Sequence, residues 1–430
     1  MKKSSLLLLI ITWPFLTIAQ QTRIFTDPQF SFRQAKEYFQ QEQYSLAYPM
    51  FRELNESLRE TDMSNHRLMY EEVKFYTIVC GLKQNEKNSV QEARSFVDLQ
   101  INHALAQKMA FHLGEYYFRN DEIRNSIIYY EQTNIANLSN REIADMKFHQ
   151  GYGYFTLQQF DKARPLLNTI RQLPDDPNYR DANYYYGFIA YRDRSYFEAL
   201  DAFKKVENDP VYQKTVPFYI TTIHYFQGQK DKAIEYAEGM LKKTGSYYDT
   251  ELRQLLGHAY FEKKEYAKAL PYLEAYAAKA EKISREDIYE LSYCYYQVKQ
   301  YNKAIDGFKQ LSSGTDSLMQ SAMYMLGDAY LKTGQKANAR SAFSFCAANN
   351  SDDRQREVSK FNYAKLSYEL GYQDVALNEL QQFVNQYSRS EYSTEARELL
   401  VNVLANTNNY KDALALLESL PKSSDVVKKA

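Results

Sequence analysis

Leu326-Gly327-Asp328-Ala329-Tyr330, followed by Ala339 and Phe343, is the stretch on which the reading of this chain turns, because its parts recur. Ala163, Ala199, Ala233, Ala269, Ala304, Ala339, Ala376 and Ala413 follow one another at intervals of 34 to 37 residues. Twelve residues before the alanine stands a small residue: Gly151, Gly187, Gly257, Ser292, Gly327. Nine before it comes an aromatic ring: Tyr154, Tyr260, Tyr295, Tyr330. Four after it comes a bulky apolar residue: Leu167, Phe203, Leu273, Phe308, Phe343. Apolar residues at spacings of three and four line one face of a helix. Short polar turns such as Thr333-Gly334-Gln335 and Gln158-Gln159-Phe160-Asp161 separate two such helices in each period. The pattern therefore predicts antiparallel helix pairs, with glycine or alanine where the two backbones approach. One pair cannot bury its apolar face alone, so neighbours must stack.

The Leu-Gly, Tyr, Ala and Phe positions, recurring in register, resemble the tetratricopeptide repeat. The resemblance implies an all-α fold, a right-handed superhelical solenoid of antiparallel helix pairs that binds protein segments in its groove. It extends toward the N-terminus. Ala35, Tyr38, Ala47 and Phe51 fit a first repeat. A second has a long first helix near residues 68–82 and a second helix near 91–101. A third keeps Gly114 and Tyr117 but has Ser126 in place of the alanine. Ten or eleven repeats are expected. They divide into an irregular N-terminal part, 20–105, and a regular array, 106–420, followed by a polar tail, 421–430. No linker rich in Pro, Gly or Ser interrupts them, which predicts one elongated solenoid. No amphipathic helix seals the stack after Ala413, so its end is expected to dock onto something or to continue in a longer natural chain.

The opening residues carry an address. Met1-Lys2-Lys3, an apolar run over 6–11 and Thr17-Ile18-Ala19 read as a secretory signal peptide, 1–19, cleaved after Ala19. The apolar run is too short to span a bilayer comfortably, and no cysteine follows to carry a lipid. The alternative is an uncleaved anchor. A leader ending Ala-Gln ahead of a repeat array rich in Tyr, Asn and Gln resembles exported proteins of Bacteroidetes-type bacteria. The protein is thus expected in the periplasm or associated with the outer membrane.

Charge narrows the partners. Lys and Arg number 53 against 54 Asp and Glu, a balance that argues against a broad nucleic-acid surface. Glycine and proline are scarce, as a helical chain requires. Pro165 and Pro271 are expected near the first turns of second helices, where proline costs little. Cys80, Cys294 and Cys346 each lie in an apolar helical run and read as buried free thiols. No metal-ligand cluster, phosphate loop, zinc helix or nucleophile elbow is present. No cofactor is implied, and His112, His149 and His258 read as packing residues; the chain is expected not to be an enzyme.

What is unusual is the aromatic content: 40 Tyr and 24 Phe against a single Trp, which falls at Trp13 in the leader. With the small residue counted as eighth in each unit, fifth, ninth and twelfth positions share one helical stripe. The stripe includes Phe148, Tyr152, Phe155, Tyr184, Phe188, Tyr191, Phe218, Tyr225, Phe261, Tyr289, Tyr293 and Tyr296. The resemblance places it on the concave side, as a groove for a protein or peptide partner; these rings either receive that partner or pack the groove wall. Glu115 and Asp328 at ninth positions would repel a carboxylate, which argues against a clamp for a partner's C-terminus. The leading reading is an envelope scaffold or adaptor. A structural subunit of an envelope or secretion assembly is the second, and a glycan-binding solenoid, weakened by the lack of mature Trp, the third.

Overall fold

The computed structural model describes residues 27–60, 63–242 and 247–420. The leader at 1–19 and the tail at 421–430 lie outside the described residues. Among those residues the chain is all-α, with 22 α-helices that stack as antiparallel pairs. Helices α1 to α10 are Pro28–Gln40, Tyr44–Glu60, Met63–Gln84, Ser89–Leu99, His103–Arg119, Ile123–Glu131, Asn140–Thr156, Phe160–Ile170, Tyr179–Arg192 and Tyr196–Lys204. Helices α11 to α16 are Val216–Phe226, Lys230–Leu241, Asp249–Glu262, Tyr266–Ala277, Arg285–Gln297 and Tyr301–Lys309. Helices α17 to α22 are Ser317–Lys332, Lys336–Ala347, Asp353–Glu369, Gln373–Gln386, Ser393–Asn406 and Tyr410–Glu418. Odd-numbered helices are the first of each pair. They form two compact units, Met1–Lys205 and Val206–Ala430, so that α1–α10 belong to one and α11–α22 to the other.

Within each unit the core is a succession of local clusters. One gathers Phe75, Val79, Leu82, Ala93, Met109 and Leu113. Another, in the second unit, gathers Ala304, Phe308, Met323, Leu326, Ala339 and Phe343. The repeated alanines are fully buried from Ala163 to Ala376, since any longer side chain would push paired helices apart. Cys80, Cys294 and Cys346 are free and buried.

The eighth-position glycine has a specific opponent in each pair, sixteen residues on. A Cβ on Gly114 would stand 2.5 Å from the Tyr130 ring, on Gly187 2.9 Å from Phe203 and on Gly327 2.7 Å from Phe343. A Cβ on Gly257 would overlap Leu273 in the same way. Ser292 breaks the rule and shows its basis. The space it takes is returned by Gly307 on the facing helix α16, where a Cβ would collide with the Ser292 hydroxyl.

The turn inside each pair is equally regular. Five residues before the alanine, the backbone enters the left-handed region: Gln158 (φ 59°), Arg194 (59°), Gly228 (74°), Lys264 (61°), Lys299 (64°), Gly334 (74°) and Gly371 (82°). The next residue's N–H then donates to the carbonyl five residues back, as Gln159 does to Tyr154 and Gln335 to Tyr330, both at 2.8 Å. This is a Schellman closure, which favours glycine. Lys264→Gly is therefore expected to stabilise the second unit slightly. Relief of about 1–2 kcal/mol of left-handed strain outweighs about 0.4–1 kcal/mol of added unfolded-state freedom. A urea midpoint shifted downward would contradict this.

Pro165 and Pro271 correct the expectation that they occupy first turns. Each is the sixth residue of its helix, as is Pro49 in α2. All three stand two residues after the repeated alanine on the exposed side. There the carbonyls of Ser45, Asp161 and Ala267, deprived of an N–H, belong to exposed residues that water can reach.

Neighbouring repeats are tied by the tyrosine three places after the eighth position. Tyr154 donates to Glu131 at 2.5 Å, Tyr260 to Glu238 at 2.6 Å and Tyr295 to Glu274 at 2.7 Å. At the matching place Tyr117 accepts from Arg94 Nε at 2.7 Å, and the Lys309 ammonium stands 5.9 Å from the Tyr330 ring. Each tie runs from a first helix to the second helix of the preceding repeat.

Candidate functional site

The stripe rings come from first helices, and most of them stand between core and solvent. Phe148 is buried at 7% exposure; the other eleven are half-buried. Six of these rings belong to each compact unit.

In the first unit, α7 supplies Phe148, Tyr152 and Phe155, and α9 supplies Tyr184, Phe188 and Tyr191. Phe148 stacks on Tyr152 with centroids 6.4 Å apart, and Phe118 of α5 meets Tyr152 edge-on at 5.9 Å. Tyr185 joins the helices, touching Tyr152 at 5.2 Å and Phe155 at 4.8 Å, while Phe155 reaches Phe188 at 5.5 Å. Tyr185 holds the sixth position, which sequence reading passed over; the run Tyr184-Tyr185-Tyr186 was the available signal. Beside this row opens a cavity of about 400 Å³ whose lining includes Phe118, Phe148, Tyr152, Asp181 and Tyr185.

In the second unit, α11 supplies Phe218 and Tyr225, α13 Phe261, and α15 Tyr289, Tyr293 and Tyr296. Phe261 meets Tyr293 at 5.7 Å, and Tyr293 lies 5.9 Å from Tyr289 and 6.4 Å from Tyr296. Phe218 stacks on Tyr248 at 4.6 Å. The Tyr225 hydroxyl donates to Glu262 at 2.9 Å, and that of Tyr296 to Asp328.

The three positions are not equivalent. Fifth-position rings lean on buried second-helix rings: Tyr184 on Phe203 at 6.4 Å and Tyr289 on Phe308 at 5.8 Å. Ninth and twelfth positions carry the contacts from one first helix to the next, so Tyr152, Phe155, Phe188, Phe261 and Tyr293 form the outer part of the rows.

Polar side chains knit the same helices. Tyr130 donates to Glu115 Oε1 at 2.6 Å, and His149 Nδ1 donates to the same oxygen at 2.8 Å while its ring stacks on Phe118 at 3.9 Å. Burial would push the Glu115 carboxyl up, but these two donors hold it below the usual range. In the second unit His258 lies between two carboxylates. Nε2 stands 2.9 Å from Asp287 Oδ1, and Nδ1 2.5 Å from Glu290 Oε2. Carboxylates only accept, so both ring nitrogens carry protons. Burial alone would lower His258; the two anions overcome it and push it up to about 10. Asp287, 3% exposed, also accepts from Gln254, Tyr276 and Ser284. Burial opposes its charge, yet His258 and these donors hold it well below the usual carboxylate range.

Among the described residues no group of three or more His, Cys, Asp and Glu is placed to hold a metal ion. Nor is any described helix long and apolar enough to cross a membrane.

Paired helices in a 34-to-37-residue period, each closed by one left-handed turn and one small-residue contact, define a helical-repeat solenoid of the class used for protein–protein interaction. The chain is a tetratricopeptide-repeat protein: models of that repeat match residues 148–212, 250–277 and 321–344. Solved structures that it resembles include the C-terminal part of a TPR repeat-containing protein from Cytophaga hutchinsonii (15% identity, 57% of this chain and 98% of that one, TM-score 0.39). A tetratricopeptide repeat protein from Parabacteroides merdae is similar at 15% identity, over 61% of this chain and 99% of that one, with TM-score 0.35. MamA is similar at 18% identity, over 40% of this chain and 95% of that one, with TM-score 0.33. No curated protein matches the chain.

Proposed function

We propose that the protein is a non-catalytic adaptor of the bacterial cell envelope, exported to the periplasm or the outer-membrane periphery, that holds partner protein segments along its aromatic rows. The observation that carries this reading is the row Phe118, Tyr152, Tyr185, Phe155 and Phe188. Rings from three consecutive first helices touch in series and yet remain half-buried. Half-buried Tyr and Phe offer large contact area with few side-chain torsions to freeze, the chemistry of interface anchors. The leader-like opening residues support export.

A second reading, a fixed subunit of an envelope or secretion assembly, is favoured by rings on the opposite helices of the pairs. Phe197 of α10 and Phe345 of α18 are 83% and 62% exposed. Crosslinking in cells, recovery from the envelope fraction and mass spectrometry separate the two. Tyr152→Ala with Tyr191→Ala, and separately Tyr225→Ala with Tyr293→Ala, are expected to weaken a specific partner about tenfold or more while helical content is kept. A partner retained by both variants but lost with Phe197→Ser and Phe345→Ser identifies the fixed subunit. Binding of glycan with no protein recovered sinks both.

A further inference from the structure

A second cavity in the first unit, of about 370 Å³, has its origin in the irregular second repeat. Seven residues before the left-handed turn residue Asn85 (φ 59°) stands Ile78, at the place that Gly114, Gly151 and Gly187 hold in the following pairs. Its side chain is buried in a cluster with Ala93 and Val97 of α4, where a glycine would let the two backbones approach. Accordingly α3 and α4 are the most loosely packed of the antiparallel pairs. Toward the start of α3 the gap becomes the cavity, walled by Tyr70 of α3, Phe96 and Leu99 of α4 and Ile101 of the connection that follows. Leu99 and Ile101 are 63% and 61% exposed, two large apolar side chains left beside one opening.

The charged and amide groups on this wall are Arg67, Glu71, Lys74 and Asn102, and all but one are engaged. Glu71 accepts from Arg67 Nε at 3.4 Å and from Asn102 Nδ2 at 3.3 Å. The Asn102 oxygen caps α5, accepting from the Leu105 N–H at 3.2 Å. Lys74 remains. It is half-buried and makes no ion pair or hydrogen bond among the described residues. With Arg67 and Glu71 offsetting one another, the cavity carries one uncompensated positive charge against apolar walls.

We infer that this cavity binds a fatty monocarboxylate, its head at Lys74 and its hydrocarbon tail between Tyr70, Phe96, Leu99 and Ile101. Small-molecule sites are mostly apolar, with a few polar groups that fix orientation. At about 30 Å³ per heavy atom, the share of a water molecule in the liquid, the space holds about twelve, the size of decanoate. The ammonium donates charge-assisted hydrogen bonds to the carboxylate, and the tail covers apolar surface otherwise left to water. A polypeptide C-terminus would bring the same carboxylate, but its backbone amides would enter a wall whose own amide and carboxylate are already engaged, at a cost for each group left unpaired.

The test is equilibrium dialysis of the full chain against labelled decanoate, decanol and decyltrimethylammonium, each below its micelle concentration. Decanoate is expected to bind saturably at one site, about tenfold more tightly than decanol, and the cation not at all. Lys74→Met should abolish the preference for decanoate while leaving decanol binding unchanged. Leu99→Ser with Ile101→Ser should weaken both ligands about tenfold, with little change in the unfolding midpoint because both side chains already face water. Tyr152→Ala with Tyr191→Ala, which impairs the proposed partner groove, should leave decanoate binding intact, so that the two readings fail separately. No saturable binding, equal affinity for decanoate and decanol, unaltered decanoate binding in Lys74→Met, or tighter binding of a tetrapeptide ending in two leucines would overturn the assignment.

Discussion

His258→Leu is expected to destabilise the Val206–Ala430 unit by about 3–5 kcal/mol, measured as a lowered urea midpoint. The imidazolium is the one cation between Asp287 and Glu290, and Asp287 is almost wholly buried. Its removal leaves a carboxylate that cannot regain water and faces a second carboxylate across α15. The pH dependence gives an independent check. His258 is raised from its ordinary 6.5 to about 10, so its contribution is complete below 6.5 and declines as pH rises toward 10. Stability of the wild-type unit should therefore fall by up to about 1.4 kcal/mol per pH unit between about pH 7 and 8, below the titration of tyrosines and of the buried thiols Cys294 and Cys346. The leucine variant should lack that slope. Asp287, depressed in the folded state, has the opposite sign: its contribution is present above 3.8 and is lost as pH falls below it. A variant with the wild-type alkaline slope would show that the slope belongs to other groups.

Gly327→Ala is expected to cost about 2–3 kcal/mol, far more than a glycine-to-alanine change in a helix, which ordinarily favours alanine by about 1 kcal/mol. The added methyl would lie 2.7 Å from the Phe343 ring, between two helices already in contact. Phe343→Ala alone should cost about 3–5 kcal/mol through the lost ring and the cavity left behind. Combined, the two should cost about 1–2 kcal/mol less than their sum, since the methyl then enters space the ring has vacated. Additive costs would show that Gly327 is required for its backbone conformation and not for the contact. Ser292 and Gly307 already show that the space can be supplied from either helix.

Much of this architecture was legible because its physical causes are periodic. The repeated alanine and glycine are small where helices touch, and those sites recur at a fixed interval. The long first helix near residues 68–82 was visible as an apolar pattern and is α3, Met63–Gln84. What escaped had no such signature. The left-handed turn residue is glycine at 228, 334 and 371 but Gln, Arg or Lys at 158, 194, 264 and 299, because the closing hydrogen bond fixes the backbone whatever side chain is present. The tyrosines nine before the alanine were evident, but not their acceptors, which lie 21 to 23 residues earlier on another helix. His112 and His258 occupy similar helices and looked alike. Their surroundings, one without a polar partner and the other between two carboxylates, depend on which repeats are adjacent. The fifth, ninth and twelfth positions share a helix face in projection; only packing distinguishes the fifth, which rests on second-helix rings.

The glycine and its opponent sixteen residues on always belong to the same repeat. A pair that has this glycine therefore carries both halves of that joint, whereas the tyrosine ties, the ring contacts between first helices and the His258 cluster reach to a neighbour. A block of 34 to 37 residues is accordingly a cassette. Its duplication or removal inside either unit leaves each such glycine with its proper mate, while the tyrosine tie and the ring contacts between first helices must be met by the new neighbour. The array's length is thus free to vary under selection while its internal fit stays the same.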